Sequence, residues 1–178
     1  MKYFDELKRS MEWLSEKPET IFLGQAVECP GTAMTNTLKG VPKNKLLEMP
    51  VAEEMQMGIS IGLAVSGSIP VSLYPRWNFL LLATNQLVNH LDKIPMYSKG
   101  EFKPKVIIRT SIGSERPLNP QIQHTGDYSG AFKLMLKTVE IIVLDEPEQI
   151  FPAYQKAYNR EDGRSTLLVE YGDYFNEK

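Results

Sequence analysis

The chain has 178 residues, enough for one domain with a real core. Its 20 Lys and Arg against 22 Asp and Glu leave a net charge of −2, which gives no electrostatic case for a nucleic-acid partner. The single cysteine, Cys29, excludes an internal disulfide and a multi-cysteine metal site, and two histidines, His90 and His124, are too few for a histidine cluster, so no metal ligands are expected.

Phe4, Leu7, Met11 and Leu14 recur every three or four residues and predict an amphipathic helix over about 3–17, ended by Pro18. Acids and bases in its first turns (Asp5, Glu6, Lys8, Arg9) are unlike a signal peptide, and apolar runs such as 79–83 are far shorter than a bilayer span. The expectation is a cytoplasmic protein without membrane attachment. Residues 21–24 read as a buried strand, and 25–45, with Cys29-Pro30-Gly31 and Gly40-Val41-Pro42, as a loop region.

A short apolar strand, 46–49, then runs through Pro50 into a helix whose junction holds Glu53, and Gly67 and Pro70 end that helix. Gly58 and Gly62 are four apart and share one helix face. Each costs roughly 1 kcal/mol relative to Ala, so close packing against another element is the expected compensation. Residues 69–74 predict a strand, 75–78 a loop, 79–91 a helix, 96–103 a polar connection and 105–110 a strand. A long loop over 111–127 carries Gly113, Pro117, Pro120 and His124. A short helix over 129–136 with Ser129 as its N-cap, a strand over 139–144, a helix from Glu146-Pro147 to about 158 and a last strand over 165–171 complete the chain.

Strands alternate with helices and are continuous apolar runs, which predicts an α/β fold: a mainly parallel, doubly wound sheet with helices on both faces, in one domain over 1–178. Ligands of such sheets sit at the carboxyl ends of the strands, here 25–45, 50–53, 75–78, 111–127 and 145–147.

The run Pro50-Val51-Ala52-Glu53, followed by Gly58, Gly62, Gly67 and Pro70, resembles the pyrimidine-binding domain of thiamine-diphosphate enzymes. In particular it resembles the beta subunit of the first component of 2-oxo acid dehydrogenase complexes, with transketolase as a more distant relative. Asn85-Gln86-Leu87-Val88-Asn89, a stretch at the subunit interface in that family, and 97–102 with Pro104 and Ile107-Ile108-Arg109 extend the likeness, which is most specific over 50–109.

Position alone makes Glu53 an ordinary first-turn acid, Phe79 a core aromatic and His124 a solvated loop histidine. The resemblance implies more. Glu53 would contact a ring nitrogen of the cofactor's aminopyrimidine and promote the imino form that deprotonates the thiazolium carbon. Phe79 would stack on the same ring, Val51 and Pro75 would line its pocket, and His124, in Gln123-His124-Thr125, would face the substrate.

Gly24-Gln25-Ala26-Val27 lacks the acids that the family carries after its first strand, with Glu28 slightly later, so proton coupling between active sites is not expected to follow the family pattern. No Gly-Asp-Gly pattern is present, so thiamine diphosphate would be shared with an alpha-like subunit that holds Mg2+ and the diphosphate, most simply as two alpha and two beta chains. The C-terminal transketolase domain is not expected in this chain. The implied reaction cleaves or transfers a carbon–carbon-bonded unit of a 2-oxo acid or ketose. Two other readings stay open: a split transketolase or carboligase acting on sugar-like substrates, and a catalytically silent partner or regulatory module.

Overall fold

Six strands form one all-parallel sheet in the order β2-β1-β3-β4-β6-β5. The computed structural model describes residues 1–29, 31–115 and 119–177. Pro30 and Pro117, both read as loop signals, lie outside the described residues. In chain order the elements are α1 (Tyr3–Ser15), β1 (Thr20–Gly24), α2 (Ala33–Asn36), β2 (Leu46–Glu48), α3 (Glu53–Val65), β3 (Ile69–Tyr74), α4 (Trp77–Leu82), α5 (Ile94–Tyr97), β4 (Ile107–Ile112), α6 (Ser129–Met135), β5 (Glu140–Val143), α7 (Pro147–Asn159), β6 (Thr166–Tyr171) and α8 (Tyr174–Glu177).

Successive side chains on a strand point to opposite faces, and both faces of this sheet are covered. Ile107 and Leu168 join one core with Tyr3, Leu7, Met11, Leu14, Ile150 and Tyr154, under α1 and α7. Ile108, Leu167 and Val169 join a second core with Met57, Trp77, Leu80, Leu87 and Phe132, under α3, α4 and α6. This is why β4 and β6 read as unbroken apolar runs, as the doubly wound expectation requires.

Three local expectations are corrected. The helix expected over 79–91 begins earlier, at Trp77, and its second half is a π-helical segment, Gln86–Leu91, after a turn at Ala83. Ser129 is not the N-cap of α6: the Asp127 carboxylate accepts from the Ser129 N–H at 2.9 Å and from its hydroxyl at 2.6 Å. The face of Gly58 and Gly62 is only loosely packed: Glu54 at its start accepts from the Asn85 and Gln86 amides at 3.2 and 3.5 Å. A Cβ built on Gly62 meets nothing within 4 Å, and one on Gly58 meets only the Gln86 side chain at 3.9 Å.

The α6–β5 turn is pinned by Asp92, which is fully buried just after the π-helical segment. Its carboxylate accepts from the backbone N–H groups of Lys137, Thr138 and Val139 at 2.7–3.0 Å. Hydrogen bonds to a charged acceptor are stronger than neutral ones. Asp92→Asn keeps an acceptor but loses the charge, and is expected to cost about 2 kcal/mol. Urea unfolding would show this as a lower midpoint at unchanged slope.

Among the described residues no helix is long and apolar enough to cross a membrane, and no group of three or more His, Cys, Asp and Glu side chains could hold a metal ion.

Candidate functional site

Helix α3 sets the position of Glu53. Its inward face is Glu53, Gln56, Met57, Ser60 and Ile61, a three-four spacing. Gln56, buried, donates to the Ser72 hydroxyl at 3.0 Å and to the Leu73 carbonyl at 2.9 Å, and Ser60 donates to Ser72 at 3.0 Å. These bonds lock α3 onto β3 and place its first residue at the carboxyl edge of the sheet. The Tyr74 hydroxyl donates to the Glu53 carbonyl at 3.4 Å. Burial, with the Glu53 charge adding to it, pushes the Tyr74 phenol well above its usual range, so it stays a donor.

The Glu53 side chain is only 9% exposed, yet among the described residues no donor bonds its carboxylate. A nearly buried acid normally has a hydrogen-bond partner. The N-terminal turn of α3 favours its negative charge. Glu53 lines an open groove with Met55, Gly58, Ile59, Leu82 and Gln86. Met55 and Leu82 are exposed there, 45% and 62%. Helix α3, with Met55 and Val65 exposed, therefore carries apolar side chains away from the sheet as well as toward it, and Leu82 of α4 adds to that surface.

Phe79, half-buried on the first turn of α4, stands at a second concavity of about 310 Å3 that also holds Pro75, Arg76 and Ser111. The His124 ring packs against Phe79 with centroids 5.4 Å apart, across a sequence gap that no local pattern bridges. The loop that brings it there closes on Gly113, where any Cβ would collide with the His124 carbonyl. Three buried polar atoms of this region, Asn78 Oδ1, Thr110 Oγ1 and His124 Nδ1, have no hydrogen-bond partner among the described residues.

The structure thus brings Phe79 and Pro75 to one concavity, with His124 packed against Phe79, and places Glu53 in a separate groove. Val51 is 70% exposed and touches neither within this chain. Glu28 is exposed, and it is Glu48 on β2 that holds the preceding loop, accepting from the backbone N–H groups of Ala26 and Glu28 at 2.5 and 2.9 Å. Ala26 has a positive φ of 60°, an uncommon conformation for a residue with a Cβ, at the wall of the concavity. Sequence reading missed Gln56 and Arg76. A polar residue three positions after Glu53, and a cation directly beyond a strand end, were the available signals.

This sheet and its helices define the class first: the fold is the transketolase-like pyrimidine domain. A solved structure of a split gene transketolase, an inactive beta4 tetramer, has the same fold with a TM-score of 0.69 at 18% identity, covering 94% of this chain and 50% of that one. In sequence the chain is similar to beta subunits of 2-oxo acid dehydrogenases. It is 31% identical over 123 residues to pyruvate dehydrogenase E1 component subunit beta of Chaetosphaeridium globosum, which is 66% of this chain and 37% of that protein. It is 25% identical over 117 residues to 2-oxoisovalerate dehydrogenase subunit beta of Bacillus subtilis (strain 168), 64% of this chain and 36% of that one. The chain therefore spans little more than a third of the length of these relatives. No protein-family model matches it.

Proposed function

We propose that this chain is the pyrimidine-binding subunit of a split thiamine-diphosphate enzyme that acts on a 2-oxo acid or ketose together with an alpha-like chain. The observation that carries the reading is Glu53: a residue only 9% exposed at a helix start, whose carboxylate has no hydrogen-bond donor among the described residues and lines an open groove. An acid so placed can share a proton with a weakly basic ring nitrogen, which is the contact an aminopyrimidine needs. Phe79 offers a half-exposed ring for stacking, Pro75 and Val51 complete the apolar surround, and His124 stands beside Phe79 where it can bind a substrate carboxylate or move a proton. Thiamine diphosphate, when bound, would supply stabilisation of negative charge at the former carbonyl carbon of the substrate.

In this reading residues 1–178 act as one pyrimidine-binding domain, and Mg2+ and the diphosphate belong to the partner, in an assembly of two alpha and two beta chains. The apolar outer face of α3, with Gly58 and Gly62, is where another chain would close the site. The cytoplasmic location expected from the sequence is kept. The split transketolase beta4 tetramer is inactive, and we expect this chain to be inactive by itself as well.

Calorimetric titration with thiamine diphosphate and Mg2+ tests this. The chain by itself is expected to show no binding, and the chain co-purified with an alpha-like subunit is expected to show saturable binding. Tight binding to the single chain would put the diphosphate site here and overturn the split. No binding by a verified complex would overturn the cofactor.

A further inference from the structure

The concavity beside Phe79 has an electrostatic character that the cofactor contact does not use. Of the described residues that line it, Arg76 is the one cation and none is an acid, while the carboxylates of Glu48 and Asp173 bond to Ala26 and Ser114 of that lining. Arg76 is half-buried at the end of β3. Its one hydrogen bond among the described residues runs from Nη1 to the His124 carbonyl at 3.4 Å, the long limit for such a bond. No acid of the described residues pairs with it. The other described arginines at this level of burial or deeper are paired: Arg109 with Glu170, and Arg160 with Asp162 and Glu140.

The position of the guanidinium is set by the fold. Arg76 is extended, with φ −148° and ψ 153°, immediately before α4. Its Nη1 lies 3.1 Å from where a Gly113 Cβ would stand, so Gly113 leaves the room it occupies. The neighbouring wall is tied up internally, since the Ser111 hydroxyl donates to the Pro75 carbonyl at 2.6 Å. A guanidinium with most of its five N–H donors unspent among the described residues, at a cavity of about 310 Å3 whose described lining residues include no acid, matches an oxyanion. The volume leaves room for a small acid beside the Phe79 ring.

We infer that Arg76 is a specificity-determining residue that binds the anionic end group, carboxylate or phosphate, of the substrate. This deepens the reading of the site given above and rests on it. Under it Arg76 orients the substrate through its charged end while its carbonyl carbon faces the groove of Glu53. An uncharged aldehyde or ketone would be a poor substrate.

The test uses the full chain without any cofactor, so that its outcome is separate from that of the thiamine diphosphate titration. Pyruvate and inorganic phosphate are titrated separately at low ionic strength, followed by amide chemical shifts. At least one is expected to bind saturably, with shifts at Gly113 and Ser111. Arg76→Gln is expected to weaken that binding about tenfold or more, as loss of a charged hydrogen-bond partner does. Arg76→Lys should restore part of it. Ala33→Glu, which leaves Arg76 in place and adds a negative charge to the cavity wall, should weaken it as well. Preference for pyruvate assigns the site to a carboxylate, and preference for phosphate assigns it to a phosphorylated substrate. The inference is overturned if neither anion saturates, or if Arg76→Gln binds as the wild type does while only its melting temperature falls, which would make Arg76 a strut for the His124 loop.

Discussion

Glu53→Gln is expected to reduce turnover of the assembled enzyme by about 100-fold or more while leaving the fold intact, the range over which a positioned acid or base acts. Gln is isosteric and can still donate or accept a hydrogen bond, but it cannot exchange a proton with a ring nitrogen. The fold should tolerate the change because no internal hydrogen bond depends on the carboxylate. The expected loss of stability is only the helix N-terminal charge effect, about 0.3–1 kcal/mol. The pair of readings separates the roles: activity and the spectroscopic signature of bound cofactor change, whereas the urea midpoint barely moves. Full turnover in this variant would remove Glu53 from the chemistry, and global unfolding would show its role to be structural.

The largest effect on stability is expected at Glu170. Arg109 on β4 and Glu170 on β6 are both fully inaccessible and form a two-pronged ion pair at 2.7 and 3.0 Å. Arg109 also donates to the Thr37 hydroxyl at 3.1 Å, and the Tyr154 hydroxyl donates to Glu170 at 2.7 Å. Burial by itself would push the Arg109 guanidinium down, but Glu170 beside it more than offsets this and the group remains charged. Burial likewise pushes the Tyr154 phenol well up, which keeps it a donor. Glu170→Gln leaves that positive charge buried and uncompensated, at a cost of roughly 3–5 kcal/mol. For a chain of 178 residues the melting temperature should fall by about 10 °C. The paired change Arg109→Met with Glu170→Leu removes both charges and is expected to recover most of the loss, since apolar groups of similar volume can replace a buried pair. A double variant as unstable as Glu170→Gln would mean that packing, not uncompensated charge, dominates the site.

The likeness to beta subunits singled out Arg109 only as part of a motif. Its chemistry lies in a partner 61 residues away in sequence, and no period or spacing connects the two. The same holds for Phe79 and His124: each reads locally as an ordinary core aromatic and loop histidine, and their 5.4 Å contact exists because the long loop folds back over Gly113. Arg76 falls in the loop expected over 75–78, and only the tertiary structure shows that it lines a cavity and pairs with no acid of the described residues.

Local patterns were enough for the order of strands and helices, the strand Ile69–Tyr74, the helix start at Glu53 and the parallel α/β class. These depend on residue spacing within one element and on whether one or both faces are apolar, which a sequence displays directly. The turn that divides the helix after β3 into α4 and a π-helical segment was not legible, because its apolar spacing runs on through the turn. Nor was the strand order β2-β1-β3-β4-β6-β5, which is settled by packing between elements far apart in the chain. The exposed apolar side chains of α3, the Glu53 carboxylate without a donor and the Arg76 guanidinium without an acid partner, both among the described residues, also needed the tertiary structure. Whether a polar group has a partner depends on what folding brings within hydrogen-bond reach, and that distance is written in no single stretch of sequence.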